Sequence, residues 1–200
     1  MTNILHINSS VFGQGGTSSQ MSQEFIQALR NKQDDSTLIF RDLHENPLPH
    51  LDGERFTAFV TPAEQRSPAQ HAIVAESDIL INELRDADII VLGMPLYNLG
   101  VPSTFKAYID HIARAGETFR YTANGPQGLL SDKKVYVFAA RGGQYLDTPM
   151  DTQTPYLRHI LGLMGISDIE FIYAEGLNMG PELAKQALTN ARKQLLDSVA

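Results

Sequence analysis

Small and hydroxyl-bearing residues follow the first apolar run of the sequence, and their order suits the binding of a phosphate group. The run NILHIN at 3–8 leads into SSVFGQGGTSS at 9–19, and residues with helical spacing come next. Backbone amides at the start of a helix, together with serine and threonine hydroxyls, can surround a phosphate dianion. No lysine or arginine occurs from residue 1 to residue 29, so neutral donors alone would hold the anion.

Two other kinds of glycine-rich loop fit this segment less well. A nucleoside triphosphate loop ends in Gly-Lys-Ser/Thr, and this segment has no lysine. A dinucleotide-binding loop requires G-x-G-x-x-G, whereas Gly13 and Gly15 are followed by Ser18, and no acid clearly closes the next strand. A plain glycine-rich turn, with Thr17 or Ser18 as the helix N-cap, remains an alternative.

A second loop, GMPLYNLGVPSTF at 93–105, places an aromatic residue beside an amide. Pro95 stiffens the loop, and Tyr97 and Asn98 follow it. Such a pair suits a flat heteroaromatic ring with polar edges. Alternatively, Tyr97 covers the core and Asn98 only turns the chain.

A third loop, AARGGQYLDTP at 139–149, contains the sequence Arg141-Gly142-Gly143. Paired glycines allow backbone amides to approach the edge of a ligand without an intervening Cβ. A flexible turn is the alternative interpretation.

Strands and helices that would carry these loops alternate along the chain. Near-continuous apolar runs, the second excepted, predict five strands at 3–8, 36–41, 88–93, 133–139 and 168–173. Amphipathic stretches predict helices near 17–31, 68–86, 103–115, 152–164 and 181–198. The alternation predicts an α/β fold, a flavodoxin-like three-layer sandwich whose five-stranded parallel sheet has the order 2-1-3-4-5. Ligands bind such sheets beyond the carboxyl ends of the strands, where all three loops fall.

Composition narrows the class of protein. We expect the 200 residues to form a single domain spanning 1–200. The net charge of −7 and the lack of a basic stripe argue against a nucleic-acid partner. There are no cysteines, which excludes disulfides and thiolate chemistry and fits a cytoplasmic protein. No apolar run approaches the roughly 18 residues of a membrane span.

Catalytic side chains are not evident in the three loops. The 6 histidines are scattered and lack metal-ligand spacing, so we predict no metal site. The loops contain no convincing acid–base or nucleophile constellation, so we also predict no catalytic residue.

Several longer segments resemble one family along the whole chain. These are PLYN and RGG in the second and third loops, RAGETFRYTANGPQGLL at 114–130, RDLHENPLPHLDGE at 41–54 and YAEGLNMGPE at 173–182. They are similar to the bacterial FMN-dependent NADH-azoreductases, which belong to the flavodoxin-like NAD(P)H:quinone oxidoreductases.

This resemblance implies a homodimer with tightly bound FMN and with NADH as electron donor. It also implies reduction of quinones and reductive cleavage of azo compounds to amines by a ping-pong mechanism. The implied FMN-binding residues are Ser10, Gly16, Thr17, Ser18, Leu96, Tyr97, Asn98, Leu99, Ala140, Arg141, Gly142 and Gly143. The first four would hold the phosphate, 96–99 would run along the flavin, and 140–143 would meet its pyrimidine end.

The segment 114–130 is interpreted as a lid or hairpin over the pocket, supplied largely across the dimer. Phe119 and Tyr121 would form its aromatic wall, and Leu163 would line the substrate pocket; a local core under a long loop is the alternative.

The chain departs from relatives at four positions, which affect both cofactor contacts and the pocket. Gly16 and Ala140 lack a hydroxyl that relatives carry, and Leu99 and Leu163 replace larger aromatic residues.

Two other functions can be weighed against this one. A flavodoxin-type electron carrier without NADH-dependent activity shares the fold and the acidic charge, but it does not need the long segments 42–68 and 114–130. A phosphoacceptor receiver domain requires acids at the ends of strands 1 and 3, where this sequence has none. The sequence does not separate azo, quinone and nitro acceptors, or NADH from NADPH.

Overall fold

The computed structural model describes residues 1–32 and 35–199. Within these residues the strands are β1 (Thr2–Asn8), β2 (Ser36–Asp42), β3 (Ile89–Pro95), β4 (Phe119–Thr122), β5 (Gly125–Gly128), β6 (Lys134–Ala140) and β7 (Asp168–Ala174). The α-helices are α1 (Thr17–Lys32), α2 (Gly53–Val60), α3 (Pro68–Asp86), α4 (Ser103–Ile112), α5 (Gln153–Leu163) and α6 (Pro181–Val199). Short 3-10 turns lie at Gly13–Gly15 and Ala63–Gln65.

The main sheet has the order β2-β1-β3-β6-β7, and its strands are all parallel. Counted without the small β4–β5 pair, this is the predicted order 2-1-3-4-5, so the flavodoxin-like fold is confirmed. The register pairs Asn8 of β1 with Gly93 of β3. It also pairs Pro95 of β3 with Ala140 of β6. The loops that follow β1, β3 and β6 therefore begin side by side at one edge of the sheet.

Helices cover both faces of the sheet because the central strands are apolar on both sides. Along β3, Val91 belongs to the cluster that includes Phe25 of α1, whereas Leu92 belongs to the cluster that includes Tyr108 of α4. Successive side chains of a strand point to opposite faces, so a continuous apolar run serves both layers. Each large apolar side chain buried in this way contributes about 1.5–3 kcal/mol.

The segment 42–68, where the sequence predicts no helix before 68, contains α2. Asp52 caps the start of α2 by accepting a hydrogen bond of 2.8 Å from the amide of Arg55. Helix α3 begins with a capping box, in which Ser67 and Gln70 each bond the backbone of the other, and Pro68 occupies the first turn. Proline fits there because the first-turn amides have no partner within the helix.

The segment 114–130 forms the predicted hairpin, since β4 and β5 pair antiparallel. The two ends of the segment 114–130 lie near the amino ends of the main strands, at the opposite edge from the three loops. The amide of Leu130 donates to the carbonyl of Met164, just after the end of α5. Arg85, in the last turn of α3, donates to the Glu117 carboxylate at 2.7 Å.

No helix among residues 1–32 and 35–199 combines the length and apolar character needed to cross a membrane.

Candidate functional site at the carboxyl edge of the sheet

The loop after β1 turns into α1 through small residues, and its serines have different roles. The Ser9 hydroxyl donates to the carbonyl of Gly93 at 2.8 Å, so Ser9 fastens the loop to β3. Ser10 is buried, and its Oγ accepts a hydrogen bond from the amide of Phe12 at 3.2 Å. Gly13 has a φ of 53° in the 3-10 turn, a backbone conformation that favours glycine.

The first turn of α1 offers several donors that the folded chain does not use. The first intrahelical bond runs from the amide of Gln20 to the carbonyl of Gly16, so the amides of residues 17–19 lack helical acceptors. The hydroxyls of Ser18 and Ser19 are buried and have no hydrogen-bond partner among the described residues. Buried polar groups are normally satisfied, so a pair of orphaned hydroxyls at a helix start indicates a site for an anionic ligand.

Gly16 keeps this site open. A Cβ added at Gly16 would lie 2.6 Å from the Cβ of Ser10 and would also collide with the Ser10 hydroxyl. Any side chain at position 16 would therefore displace Ser10. Gly16 can offer a ligand only its backbone, since it carries no hydroxyl.

The loop after β3 is a tight turn connected to the first loop. The amide and carbonyl of Tyr97 bond those of Gly100, and the two residues between them, Asn98 and Leu99, have φ of 50° and 62°. Left-handed non-glycine residues cost about 1–3 kcal/mol each and concentrate at functional sites. The Tyr97 phenol accepts a hydrogen bond from the amide of Val11 at 3.2 Å and lies 3.4 Å from Ser10 Oγ.

The Arg141 side chain is fully buried and belongs to a network inside the protein. Its Nη2 and Nη1 lie 3.0 Å from carboxylate oxygens of Asp151 and Glu175, respectively. Its guanidinium lies over the ring of Tyr173, 4.8 Å from the centroid. Burial raises the pKa of Asp151, but hydrogen bonds from Thr154 and Arg141 outweigh it and leave that pKa below its usual value. The guanidinium therefore positions this loop, and any contact with a ligand would come from the backbone.

The loop at Gly142 and Gly143 is held by its carbonyls rather than by its glycine amides. The carbonyls of Arg141, Gly142 and Gly143 accept hydrogen bonds of 2.9–3.1 Å from the amides of residues 176–178. Neither glycine amide has an acceptor among the described residues. The loop therefore holds two backbone donors that are not used within the described part of the chain, and Gly142 lines the cavity described below.

Gln153 joins the second and third loops. Its side chain is 1% exposed; Nε2 donates to the carbonyl of Pro95 at 2.9 Å, and Oε1 accepts from Arg141 Nε at 3.3 Å. Sequence reasoning assigned no role to Gln153 or to the segment 175–178. The segment 175–178 carried a usable signal, because it directly follows the last strand, β7.

These loops enclose a cavity of about 250 Å³. Most of the predicted cofactor residues line it: Ser10, Gly16, Thr17, Ser18, Leu96, Tyr97, Ala140, Arg141 and Gly142, together with Phe12, Pro95, Leu177 and Asn178. Asn98 lines a neighbouring cavity of about 730 Å³, which Tyr97 also borders. Leu99 and Gly143 line neither cavity.

The larger of these cavities contains a second unusual hydroxyl. The Tyr156 phenol has no partner among the described residues, and burial, with a smaller contribution from Asp110, raises its pKa to about 12. The phenol is therefore protonated at neutral pH. A further cavity of about 530 Å³, between α1 and β2, receives none of the loops after β3 and β6.

The residues predicted for the substrate pocket lie elsewhere in the chain. Phe119 is 8% exposed and Tyr121 77% exposed, and their rings meet edge to face at 5.5 Å on the hairpin. Leu163 ends α5, close to where the hairpin segment bonds Met164. Because the hairpin and Leu163 lie near the amino ends of the strands, one chain does not bring Phe119, Tyr121 or Leu163 to the cavity at the carboxyl edge.

Fold and site together define a doubly wound α/β protein with a cavity at the switch point of its sheet, lined by the start of α1 and the buried, unpartnered Ser18 hydroxyl. The model of the family described as having a flavodoxin-like fold matches residues 2–199. The chain belongs to this family.

Named relatives are similar over nearly the full length. A protein of Alcanivorax borkumensis named FMN-dependent NADH:quinone oxidoreductase is 54% identical over 196 residues, which cover 98% of this chain and 99% of that protein. A protein of the same name from Paraburkholderia phymatum is 53% identical over 195 residues, 98% of each chain. The crystal structure of an azoreductase from Bacillus anthracis str. Sterne superposes with a TM-score of 0.91 at 27% identity, covering 100% of this chain and 99% of that one.

Proposed function

We propose that this chain is an FMN-dependent oxidoreductase that uses NADH to reduce quinones and to cleave azo compounds to amines. The observation that carries the proposal is the buried, unpartnered hydroxyl of Ser18 beside free helix amides, in a cavity formed by the predicted loops. The names of the relatives, which describe FMN, NADH and quinone, support the same assignment.

The residues present fit the phosphate of FMN. Ser10, Thr17 and Ser18 would donate hydroxyl hydrogen bonds, and Gly16 would let the phosphate approach the backbone. Amides at the start of α1 would complete the shell, and the helix dipole adds about 0.3–1 kcal/mol, or more where partly buried. These hydroxyls and amides could hold a phosphate dianion without a lysine.

The second and third loops would hold the flavin ring. The segment 96–99 would run along the ring, and residues 140–143 would meet its pyrimidine end. When bound, FMN supplies two-electron transfer between NADH and an acceptor, which we infer would use one site alternately, in a ping-pong order. The amides of Gly142 and Gly143 would donate to the pyrimidine edge, where fixed donors stabilise developing negative charge. The Arg141 side chain would keep those amides in place.

We infer that two chains form the complete site. Phe119, Tyr121 and Leu163 can line a pocket at the carboxyl edge only if a second copy brings its hairpin there. A homodimer would satisfy this requirement, and Tyr121, largely exposed in the single chain, would then face the acceptor. A single domain over residues 1–200 and a cytoplasmic location stay predictions from the sequence.

An anaerobic spectral titration tests the proposed function. Protein incubated with FMN and freed of excess should be yellow, lose its colour with NADH, and regain it with menadione or methyl red. Protein that stays colourless after this incubation would contradict the FMN assignment. Protein that binds FMN but accepts electrons only through a separate reductase would instead be an electron carrier.

A further inference from the structure

The first turn of α5, with the two residues before it, holds both of the loops assigned to the flavin ring. Thr152, just before the helix, donates its hydroxyl to the carbonyl of Leu99 in the second loop. Asp151 and Thr154 each accept a hydrogen bond from Arg141 Nη2 in the third loop, at 3.0 and 2.9 Å. A segment that follows both loops in the chain therefore fixes them against each other.

Gln153 bonds both loops with a single side chain. Its Nε2 donates to the Pro95 carbonyl at 2.9 Å, and its Oε1 accepts from Arg141 Nε at 3.3 Å. The side chain is 1% exposed, so water does not compete for these bonds. A carboxamide suits this position because it offers a donor and an acceptor at once.

The backbone joins these two loops where they leave the sheet. Strands β3 and β6 pair as far as Pro95 and Ala140, and the amide of Leu96 donates to the carbonyl of Ala140 at 3.0 Å. Among the described residues, no backbone hydrogen bond joins 97–100 to 141–143. Beyond the end of the sheet, the spacing of the two loops thus depends on side chains, and Gln153 spans it.

The flavin ring would contact both of these loops at once. In the proposed function, residues 96–99 run along the ring and the amides of Gly142 and Gly143 meet its pyrimidine edge. A flat, rigid ring can satisfy both loops only at one spacing, and binding geometry must be held to within about 0.5 Å by side chains that are themselves locked. The buried carboxamide of Gln153 is locked in this way at both of its ends.

We propose that Gln153 is a positioning residue for the flavin ring, which holds the second and third loops at the spacing that the ring requires. This inference rests on the proposed function. Gln153 lines neither cavity at this edge, so it acts through the Pro95 carbonyl and Arg141. It therefore controls the affinity for the ring and the reduction potential of bound FMN, and leaves the contribution of the phosphate unchanged.

Two variants remove the bonds of Gln153, and a matched variant serves as the control. Gln153→Met is similar in size and loses both bonds, whereas Gln153→Glu keeps the acceptor for Arg141 and loses the donor to Pro95. Gln194→Met is the control, because Gln194 also donates from a helix to a strand carbonyl, that of Phe171 at 3.0 Å, and lines neither cavity. Each flavin-free protein is titrated with FMN and with riboflavin, which has the same ring and ribityl chain but no phosphate.

We expect Gln153→Met to weaken the binding of FMN and of riboflavin by the same factor, about tenfold, because the phosphate donors at the start of α1 stay in place. Gln153→Glu should also weaken both, and it decides the question if Gln153→Met does not fold. Gln194→Met should change neither. Unchanged affinities in the Gln153 variants, a loss confined to FMN, or an equal loss in Gln194→Met would overturn the proposal.

The reduction potential of bound FMN separates a positioning role from a general loss of stability. Reduced flavin carries more negative charge at its pyrimidine edge, so displaced amides at Gly142 and Gly143 weaken binding of the reduced form more than that of the oxidised form. The potential in Gln153→Met should fall, by about 30 mV for a tenfold difference between the two forms in a two-electron couple. Gln194→Met should show no shift; an unshifted potential in the Gln153 variants would overturn the positioning role.

Amide hydrogen exchange of the flavin-free chain gives a readout that needs no cofactor. The amides of Leu96 and Tyr97 in the second loop and of Arg141 in the third are hydrogen-bonded. Their exchange should be faster in Gln153→Met and unchanged in Gln194→Met. Equal exchange in the two variants would contradict the coupling of the loops, whereas failure of the unaltered chain to bind FMN would refute the proposed function itself, so the two failures are distinguishable.

Discussion

Two regions of this molecule contain buried arginine and serine side chains, and they use them differently. The rim consists of residues 9–18, 95–99, 140–143 and 176–178 at the carboxyl edge of the sheet. The hairpin base consists of Ser77, Asp78, His111, Arg114 and Thr118, between α3, α4 and the hairpin. At the hairpin base, Ser77 donates to the carbonyl of His111 at 2.6 Å and accepts from Arg114 at 2.8 Å. At the rim, the hydroxyl of Ser18 has neither kind of partner among residues 1–32 and 35–199.

This contrast separates a region that is complete after folding from one that needs a ligand. Thr118 at the hairpin base likewise donates to the carbonyl of Ile112 at 2.6 Å. An unsatisfied buried hydroxyl costs about 1–3 kcal/mol, so the unpartnered Ser18 hydroxyl, which lines a cavity, points to a purpose other than stability. A bound phosphate would satisfy the hydroxyl at the rim.

The largest expected effect on stability comes from replacing Arg141, one of two buried arginines. In Arg141→Leu, the carboxylates of Asp151 and Glu175, 7% and 15% exposed, lose their cation. The free energy of unfolding should fall by about 3–5 kcal/mol, as when one partner of a buried ion pair is removed. Urea unfolding of the flavin-free chain measures this.

Arg114→Leu is the matched variant at the hairpin base. Asp78 is 48% exposed and can be hydrated when its partner is lost, so the loss should be clearly smaller. Equal losses in the two variants would contradict the distinction between the two arginines.

The next effect concerns the space at Gly16. In Gly16→Ala the new Cβ would displace Ser10, so the dissociation constant for FMN should rise at least about tenfold, equivalent to 1.4 kcal/mol. Fluorescence titration with FMN measures the change. Adding Ser10→Gly should restore space and recover part of the affinity; unimpaired binding in Gly16→Ala would show that the phosphate does not lie there.

Much of this arrangement could be predicted from the sequence, because it depends on local patterns. Near-continuous apolar runs located four of the five main strands, β2 being the exception, and the strand order followed from the alternation of strands with helices. Helix α2 was missed, although Asp52 before Gly53–Val60 is a recognisable N-cap. Its eight residues are too short for a clear periodicity.

The tertiary contacts could not be predicted from the sequence. The RGG motif located the loop, but the partners of Arg141 come from positions 151 and 175, and nothing local indicates that its guanidinium points inward. Hydroxyls at 17–19 suggested a phosphate site, whereas only the fold shows that Ser18 lacks a partner. The position of the hairpin at the opposite edge likewise depends on packing against α3 and α5.

A pair of serine variants tests the contrast between the two regions directly. Ser18→Ala should weaken FMN binding about tenfold, through loss of a hydrogen bond to a charged group. The flavin-free chain should lose no stability, because this hydroxyl has no partner to lose. Titration and urea unfolding of the same preparation measure both.

Ser77→Ala should give the reverse result. Its hydroxyl has partners on both sides, so the free energy of unfolding should fall by about 1–3 kcal/mol while FMN affinity is unchanged. A stability loss in Ser18→Ala as large as that in Ser77→Ala would remove the basis for treating the rim as incomplete.

The smallest effect is expected at the tip of the hairpin. Tyr121→Ala should leave stability and FMN affinity unchanged because this side chain is 77% exposed in the chain. If a second copy brings Tyr121 over the flavin, the KM for menadione should rise a few-fold, as loss of an aromatic contact of about 0.5–1.5 kcal/mol implies. Steady-state kinetics of the FMN-loaded protein decides; an unchanged KM would leave the hairpin outside the acceptor pocket.

Comparison of FMN with riboflavin on the unaltered, flavin-free chain tests the central claim most directly. The two ligands differ only by the phosphate that the rim would hold through neutral donors. Two or more hydrogen bonds to a charged group, each contributing about 1.5–3 kcal/mol, predict that FMN binds at least about 100-fold more tightly, with one FMN per chain. Equal affinity for the two flavins would show that the rim does not bind a phosphate.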